Sequence, residues 1–339
     1  MKMARPSRAV ISRAPTLDDV ARAAGLSSMT VSRALNTPDQ VRSETVKKVL
    51  AAVKATGYIP NALAGGLASR RSKLVAVLVP HLNDPLFADT LQAMGETLSQ
   101  RGYQMLLCSA GYTPQTETEL VSTLMSRRPD GIMLTGIHHA NDLKKIIFNA
   151  SVPVVETWDI TPTPIDMLVG FSHEKAGLAT AEYLLGKGYR RPGLVWTTER
   201  TAAQRKNGLY EGLARHGITD APCVESQLPA RFADGRAGAA QLLETTELDV
   251  IICGSDTLAQ GAISELQARG LRVPQDVAVM GFGDLDFAAA NVPAITTVAL
   301  DRYAIGARAA TLLANRIEGR SDGEQIIDIG FHLTERESA

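Results

Sequence analysis

The sequence predicts an α/β chain in two parts, an all-α helix-turn-helix head followed by a two-lobed body built on parallel sheets. Three observations carry this. The charge is divided: residues 1–72 hold twelve Lys and Arg against four Asp and Glu, a net +8, and the rest of the chain carries −9, giving the overall −1. Residues 16–57 show helical apolar spacing interrupted by Gly. From Lys73 onward, short apolar runs alternate with amphipathic segments that end in Gly, a pattern that starts near Leu74 and again near Gly193.

In the head, Thr16 is placed to cap a helix whose first turn holds Asp18 and Asp19, where the dipole favours acids. Leu17, Val20, Ala21 and Ala24 form its inner face, and Gly25 breaks it. Ser27 caps the next helix, which buries Val31, Ala34 and Leu35 and ends at Asn36–Thr37–Pro38. A third helix starts near Ser43 and is expected to bury Val46, Val49, Leu50 and Val53. Gly57 ends it, and Tyr58–Ile59 are expected to fold back onto the core. Two short helices joined at a Gly turn and braced by a third are the helix-turn-helix arrangement. Ser28, Met29, Ser32 and Arg33 are left facing outward on the second helix. Small hydroxyls permit close approach to a groove, and Arg forms two bonds to a guanine edge. A generic helical bundle with a solvated polar face is the bland alternative, and the +8 charge counts against it.

TLDDVARAAGLSSMTVSRALN…VRSETVKKVLAAVKATGYIPN resembles the DNA-binding headpiece of the LacI family of bacterial transcription regulators. The resemblance implies base reading by Ser28, Met29 and Arg33, with Thr30 and Ser32 near phosphates and Thr16, Ser27 and Asn36 completing the DNA-binding set. Met29 lacks the amide that pairs with adenine, so an apolar contact to a thymine methyl is expected. The next stretch, NALAGGLASRRS at 61–72, corresponds to the family's hinge, a short helix that forms on operator DNA and enters the minor groove beside its dimer mate. Leu67 matches the leucine that wedges into a base step, Ala64 the small residue beside it, and Asn61 is a plausible cap. Gly65–Gly66 lowers the helix propensity by about 1 kcal/mol each. A flexible linker and a helix poised at its folding threshold both fit this composition.

The division expected is a basic extension at 1–15, the headpiece at 16–60, the hinge at 61–72 and the body at 73–335. In the body, LVAVLVP, YQMLLCSA, GIMLTG, VPVVETW, PGLVWTT, DVIICGS and VAVMGFG read as strands, with helices between them. Ligands bind such sheets outside the strand C-termini. FSHEKAG, CGSDTLAQGA and VAVMGFGD agree in order with the family's effector-sensing core, which is similar to periplasmic sugar-binding proteins and also forms the dimer. By this resemblance Arg205 takes the place of the effector-binding arginine, suited to grip a carboxylate or hydroxyl pair. Phe87 and Trp158 follow strand ends and suit the apolar face of a sugar-like ligand, though a core role fits each as well. Glu156, Asp159, Asp256 and Asp284 are candidate hydroxyl acceptors, each equally able to serve as a cap or a solvated acid, and His81 is a candidate donor. Ser255 stands where the family often has Asn, and Gly283 where it often has Asp; both replacements point away from a simple neutral sugar. VVETWD, HLNDPLFAD and GFGDLDFA are similar to the gluconate-operon repressor group, which implies a sugar acid such as gluconate or a ketogluconate.

No catalytic set emerges. His138–His139 are adjacent and read as part of a solvated loop, and no phosphate loop, GxSxG or HExxH is present. Cys108, Cys223 and Cys253 have no metal-ligand spacing and read as inert thiols. No metal or cofactor is expected. No secretory signal or membrane-spanning run is read. The expectation is a cytoplasmic homodimeric repressor whose partners are double-stranded operator DNA and a small sugar-acid effector. A ligand-dependent activator or corepressor-responsive regulator of the same fold, a sugar-acid enzyme, and a ligand-binding module that contacts RNA or protein are the rivals. LTERESA closes the sequence without apolar heptads, so no tetramer tail is read.

Overall fold

A computed structural model of the chain describes residues 13–59, 71–111, 113–320 and 323–339. The chain divides into two compact units at Ser72/Lys73. Asn61, Ala64, Gly65, Gly66 and Leu67, with most of the hinge and the basic extension, lie outside the described residues.

The first unit contains α1 (Leu17–Ala24), α2 (Ser28–Asn36) and α3 (Ser43–Thr56). The Asp19 carboxylate accepts from both the backbone N–H and the hydroxyl of Thr16, at 2.9 and 2.7 Å, and fixes the start of α1. Gly25 has φ +60°, a left-handed conformation that side chains disfavour, and it makes the turn into α2. Ser27 accepts from Thr30 N–H at 3.2 Å and caps α2. Val20, Ala24, Val31, Ala34, Val49 and Ala52 form the core. Two expectations fail here. Leu50 is 54% exposed and Ile59 is 85% exposed. The helical period gives the inward face of α3 to Val49 and Ala52, and Tyr58 alone folds back against the cluster.

The second unit carries two six-stranded sheets. The first lobe is built on β1 (Leu74–Val79), β2 (Gln104–Ser109), β3 (Gly131–Thr135), β4 (Val154–Thr157), β5 (Met167–Gly170) and β11 (Ile326–Asp328), in the order β11-β5-β4-β3-β1-β2. The second has β6 (Pro192–Thr197), β7 (Cys223–Ser226), β8 (Val250–Cys253), β9 (Ala278–Gly283), β10 (Thr296–Ala299) and β12 (His332–Thr334), in the order β12-β10-β9-β8-β6-β7. The orders correspond strand for strand, so the loose repeat in the sequence is a repeat of topology. All pairings are parallel except β10–β12. Both sheets are covered on both faces, which explains the continuous apolar runs. In β1, Val75, Val77 and Val79 join one cluster, while Ala76 and Leu78 join the one on the opposite face. In β8, Val250 and Ile252 face one way, and Ile251 and Cys253 the other.

The helices are α4 (Ala88–Gln100), α5 (Pro114–Met125), α6 (Asn141–Ala150), α7 (His173–Gly186), α8 (Arg200–Arg215), α9 (Phe232–Thr245), α10 (Asp256–Ala268) and α11 (Arg302–Ile317). α11 returns to pack on α4 and on β3–β5 of the first lobe. The chain therefore passes between lobes after β5, after β10 and again after β11. The sequence reading ended the body at 335, but Ser338 is fully buried and its hydroxyl donates to the Val279 carbonyl at 2.6 Å. The body thus extends to Ala339, whose carbonyl accepts from Tyr183.

Candidate functional site

Each unit presents one candidate surface. In the head, burial of Val31 and Ala34 turns the opposite face of α2 outward. Met29 is 72% exposed, and Arg33 and Asn36 are exposed. The hydroxyls are not idle. Ser28 donates to Asp18 at 2.6 Å, Ser32 accepts from Asn36 Nδ2 at 3.2 Å, and Ser27 and Thr30 share a bond at 2.8 Å. Thr16 is committed to Asp19. A shallow depression formed by Met29, Thr30, Arg33, Gln40, Val41, Arg42 and Thr45 adds a second guanidinium to this face. Arg33 and Arg42 are thus the cations beside Met29.

In the body, a cleft of about 640 Å³ opens between the lobes at the C-terminal ends of the strands. That volume suits a small molecule. Phe87, Trp158, Arg205 and Ser255 line it. Phe87 and Trp158 meet edge to face at 5.1 Å between ring centroids. Ser255 caps α10 by accepting from Leu258 N–H at 3.3 Å, which leaves its own O–H as a donor.

Arg205 is 4% exposed. Its Nη1 donates to His173 Nδ1 at 3.0 Å and its Nη2 to the Gly254 carbonyl at 2.9 Å. The guanidinium stacks on Phe282, 3.7 Å from the ring centroid. Burial draws its pKa down to about 10, and Glu199 opposes that shift, so the group is charged at neutral pH. Its Nε–H is buried and has no partner among the described residues, and the same holds for Trp158 Nε1–H. Two buried donors, one from each lobe, call for acceptor oxygens in the cleft.

The other sequence candidates do not line the cleft. His81 lies beside the end of β1, outside the lining. Asp256 is fully buried, accepting from Thr297 Oγ1 and from Leu285 N–H, both at 2.7 Å. It ties β9 and β10 to the start of α10, and burial raises its pKa to about 6. Asp284 pairs with Arg336 at 2.7 Å. Glu156 accepts from Ile165 N–H at 2.6 Å and faces His139 Nε2 at 3.5 Å. Asp159 is buried and accepts from Ile160 N–H at 2.7 Å; burial raises it to about 6.

His139 departs most from expectation, because it is buried and not part of a solvated loop. Its Nδ1 lies 3.0 Å from both oxygens of Glu117, and its Nε2 lies 3.0 Å from the Gly136 carbonyl. Both nitrogens face acceptors, an arrangement that favours the imidazolium. Burial works against the charge, but Glu117 and Glu156 prevail and raise the pKa. His138 faces the cleft and reaches Gln204 Nε2 on the second lobe at 3.2 Å. The sequence reading missed His173, Glu117, Glu199 and Arg200 as wall residues. The available signal was positional: His173 and Arg200 each open a helix directly after a strand-end loop.

Among the described residues, no group of His, Cys, Asp and Glu is placed to hold a metal, and no helix is long and apolar enough to cross a membrane. Residues 16–61 match the family described as bacterial regulatory proteins, lacI family, and residues 181–339 match a periplasmic binding protein-like domain. The chain is 36% identical over 328 residues to the HTH-type transcriptional regulator GntR of Pseudomonas aeruginosa, spanning 96% of this chain and 95% of that protein. It is 32% identical over 327 residues to GntR of Escherichia coli, spanning 94% and 97%. The fold superposes with a TM-score of 0.90 on the crystal structure of a LacI family transcriptional regulator from Silicibacter pomeroyi, which is 31% identical over 96% of this chain and 99% of that one.

Proposed function

This chain belongs to the lacI family of bacterial regulatory proteins, and on that premise we propose that it is a homodimeric repressor, released from a palindromic operator by a sugar acid of the gluconate or ketogluconate type. It is a transcriptional regulator and not an enzyme, in line with the regulators it is similar to. Ser28, Met29 and Arg33 are the base-reading residues of this proposal, with Thr16, Ser27, Thr30, Ser32 and Asn36 along the phosphates. Asn61, Ala64 and Leu67 form the hinge contact. Acting on DNA, the protein would work in the cytoplasm.

One observation carries the acid effector. Arg205 brings a positive charge to the cleft wall, its hydrogen-bonded anchors are uncharged, and its Nε–H has no partner among the described residues. A carboxylate supplies both the charge and the acceptor. Trp158 Nε1–H and the Ser255 hydroxyl are suited to the oxygens of a polyol, and Phe87 and Trp158 to its carbon chain.

The test is a titration of the purified protein against DNA upstream of its own and neighbouring genes, with and without gluconate, 2-ketogluconate and 6-phosphogluconate. Release of a specific complex by one of the first two supports the proposal. Specific binding that none of them changes removes the sugar-acid effector. Absence of salt-dependent, sequence-selective binding to any fragment removes the operator reading.

A further inference from the structure

His173 has a role that the motif FSHEKAG does not announce. It opens α7, and α7 meets α8 through two glycines. A Cβ on Gly177 would lie 1.9 Å from the Arg205 carbonyl oxygen, and one on Gly208 would lie 2.0 Å from the Glu174 carbonyl oxygen. Only glycine permits that approach, and it brings the imidazole of His173 beside the guanidinium of Arg205.

The partners then decide the tautomer. His173 Nε2 lies 2.7 Å from the Trp158 carbonyl, which only accepts, so Nε2 carries the proton. Nδ1 is left with a lone pair, 3.0 Å from Arg205 Nη1, which only donates. The ring is buried against Phe171 at 4.4 Å and Phe282 at 6.2 Å between centroids. Burial and Arg205 hold its pKa down at about 3. Arg205 is the charged group that bears on it, with Glu199 beyond.

A carboxylate in this place would hold Arg205 more strongly and would also neutralise it. The second anchor, the Gly254 carbonyl, is uncharged as well. His173 also reaches across the lobes, since Trp158 follows β4 of the first lobe while α7 packs on α8 of the second.

We infer that His173 is a positioning residue that fixes the Arg205 guanidinium in the cleft wall without neutralising it, and so preserves the preference of the cleft for an acid over a neutral polyol. This deepens the sugar-acid reading and rests on it.

The experiment compares the parent protein with His173→Asp and His173→Asn by calorimetric titration of D-gluconate and of D-glucitol, a neutral polyol of the same carbon count. Asp places an anion against Arg205; Asn keeps a neutral acceptor near the Nδ1 position. In His173→Asp, gluconate affinity is expected to fall by about tenfold or more while glucitol affinity changes by less than about threefold. His173→Asn should keep the gluconate-to-glucitol ratio within about threefold of the parent. A parallel loss of both ligands, or an unchanged ratio in His173→Asp, overturns the inference and leaves a structural role only. If the parent binds no sugar acid, the effector reading fails. The positioning role is then read without ligand from the imidazole ¹⁵N resonances of the parent and of Arg205→Met. A single Nε2–H tautomer that does not titrate across about pH 5–8, with an Nδ1 resonance that moves in Arg205→Met, supports it. A titrating ring or an unmoved Nδ1 overturns it.

Discussion

Replacing Arg205 by Met separates the effector role proposed for this side chain from its structural one. Met keeps an unbranched chain that can lie on Phe282 and adapt to the gap. In the free protein the substitution removes the bonds to His173 Nδ1 and the Gly254 carbonyl. Each hydrogen bond to a charged group contributes about 1.5–3 kcal/mol, and leaving the two acceptors unsatisfied adds to the loss. Against this, a buried guanidinium with no carboxylate hydrogen-bonded to it no longer has to be desolvated, a cost of several kcal/mol. The terms are of similar size and opposite sign, so the melting temperature should move by only a few degrees. Nothing offsets the loss for the ligand. Two charge-assisted bonds from Nε and one Nη to a carboxylate amount to at least about 3 kcal/mol, or roughly a hundredfold in Kd. Calorimetry with gluconate measures that loss, and fluorescence anisotropy with an operator duplex measures DNA affinity. The expected variant binds operator within about threefold of the parent, binds gluconate at least about a hundredfold more weakly, and is not released by it. A gluconate Kd within about threefold of the parent, with normal release, would refute the assignment of Arg205 as the anion contact.

Three further outcomes follow from the same structure. Arg33→Ala should cost about 1–3 kcal/mol against the selected operator and relax selection at one base position, as read by binding to a set of single-base operator variants; a uniform loss across the set would make Arg33 a phosphate contact instead. Gly177→Ala puts a methyl on the Arg205 carbonyl, so α7 and α8 must separate; a lower melting temperature and weaker gluconate binding are expected together, and a variant with parental values of both would contradict the close packing. Stability should fall as pH rises above about 6.5, measured by melting; below that value His173, held at about 3 in the fold against an ordinary 6.5, gains stability as pH rises and opposes the two raised carboxyls. Asp159 and Asp256 are raised from 3.8 to about 6 in the fold, so the folded state holds extra protons in that window and loses the benefit as pH climbs through it. His139 is raised above 6.5; its contribution is complete below 6.5 and is lost as pH rises through the folded value, so His139→Gln should flatten the upper part of the profile. Parallel profiles for the two proteins would count against the His139–Glu117 pairing.

Legibility in the sequence followed how local each determinant is. Gly25, the Thr16–Asp19 cap and the spacing of Val20, Ala24, Val31 and Val49 act within one or two helical turns, and the head could be read from them. The apolar runs at β1, β3, β8 and β9 are long enough to stand out. The edge strand β7, the three-residue strands β11 and β12 and the return of α11 to the first lobe are not, since their pairing depends on partners far away in the chain. The same reasoning sorts the cleft. Phe87 and Trp158 follow strand ends, where position predicts a wall residue, while Arg205 and Ser255 were legible through the family resemblance. Asp256 occupies such a position too, yet Leu285 N–H and Thr297 Oγ1 claim both its oxygens from β9 and β10. No local pattern foretells that. His139 was misread for the converse reason, because Glu117 and Glu156, which favour its charged form, come from α5 and β4.

The division of the cleft wall explains why a ligand there is positioned to act as a signal. Phe87 and Trp158 belong to the first lobe, Arg205 and Ser255 to the second. A molecule that touches all four gains its full binding energy only at one separation of the lobes, and therefore favours that separation over others. Specific contacts join the lobes. At the second crossing, Arg302 donates to Asp89 of the first lobe and to the carbonyls of Gly283 and Asp284 of the second, and His173 bonds Trp158 near the first crossing. Such contacts restrict the lobes to a small set of arrangements. Between two of these, a difference of about 1.4 kcal/mol in ligand affinity changes the population ratio tenfold. A single extra charge-assisted bond from Arg205, made in one arrangement and not in the other, is enough to supply it.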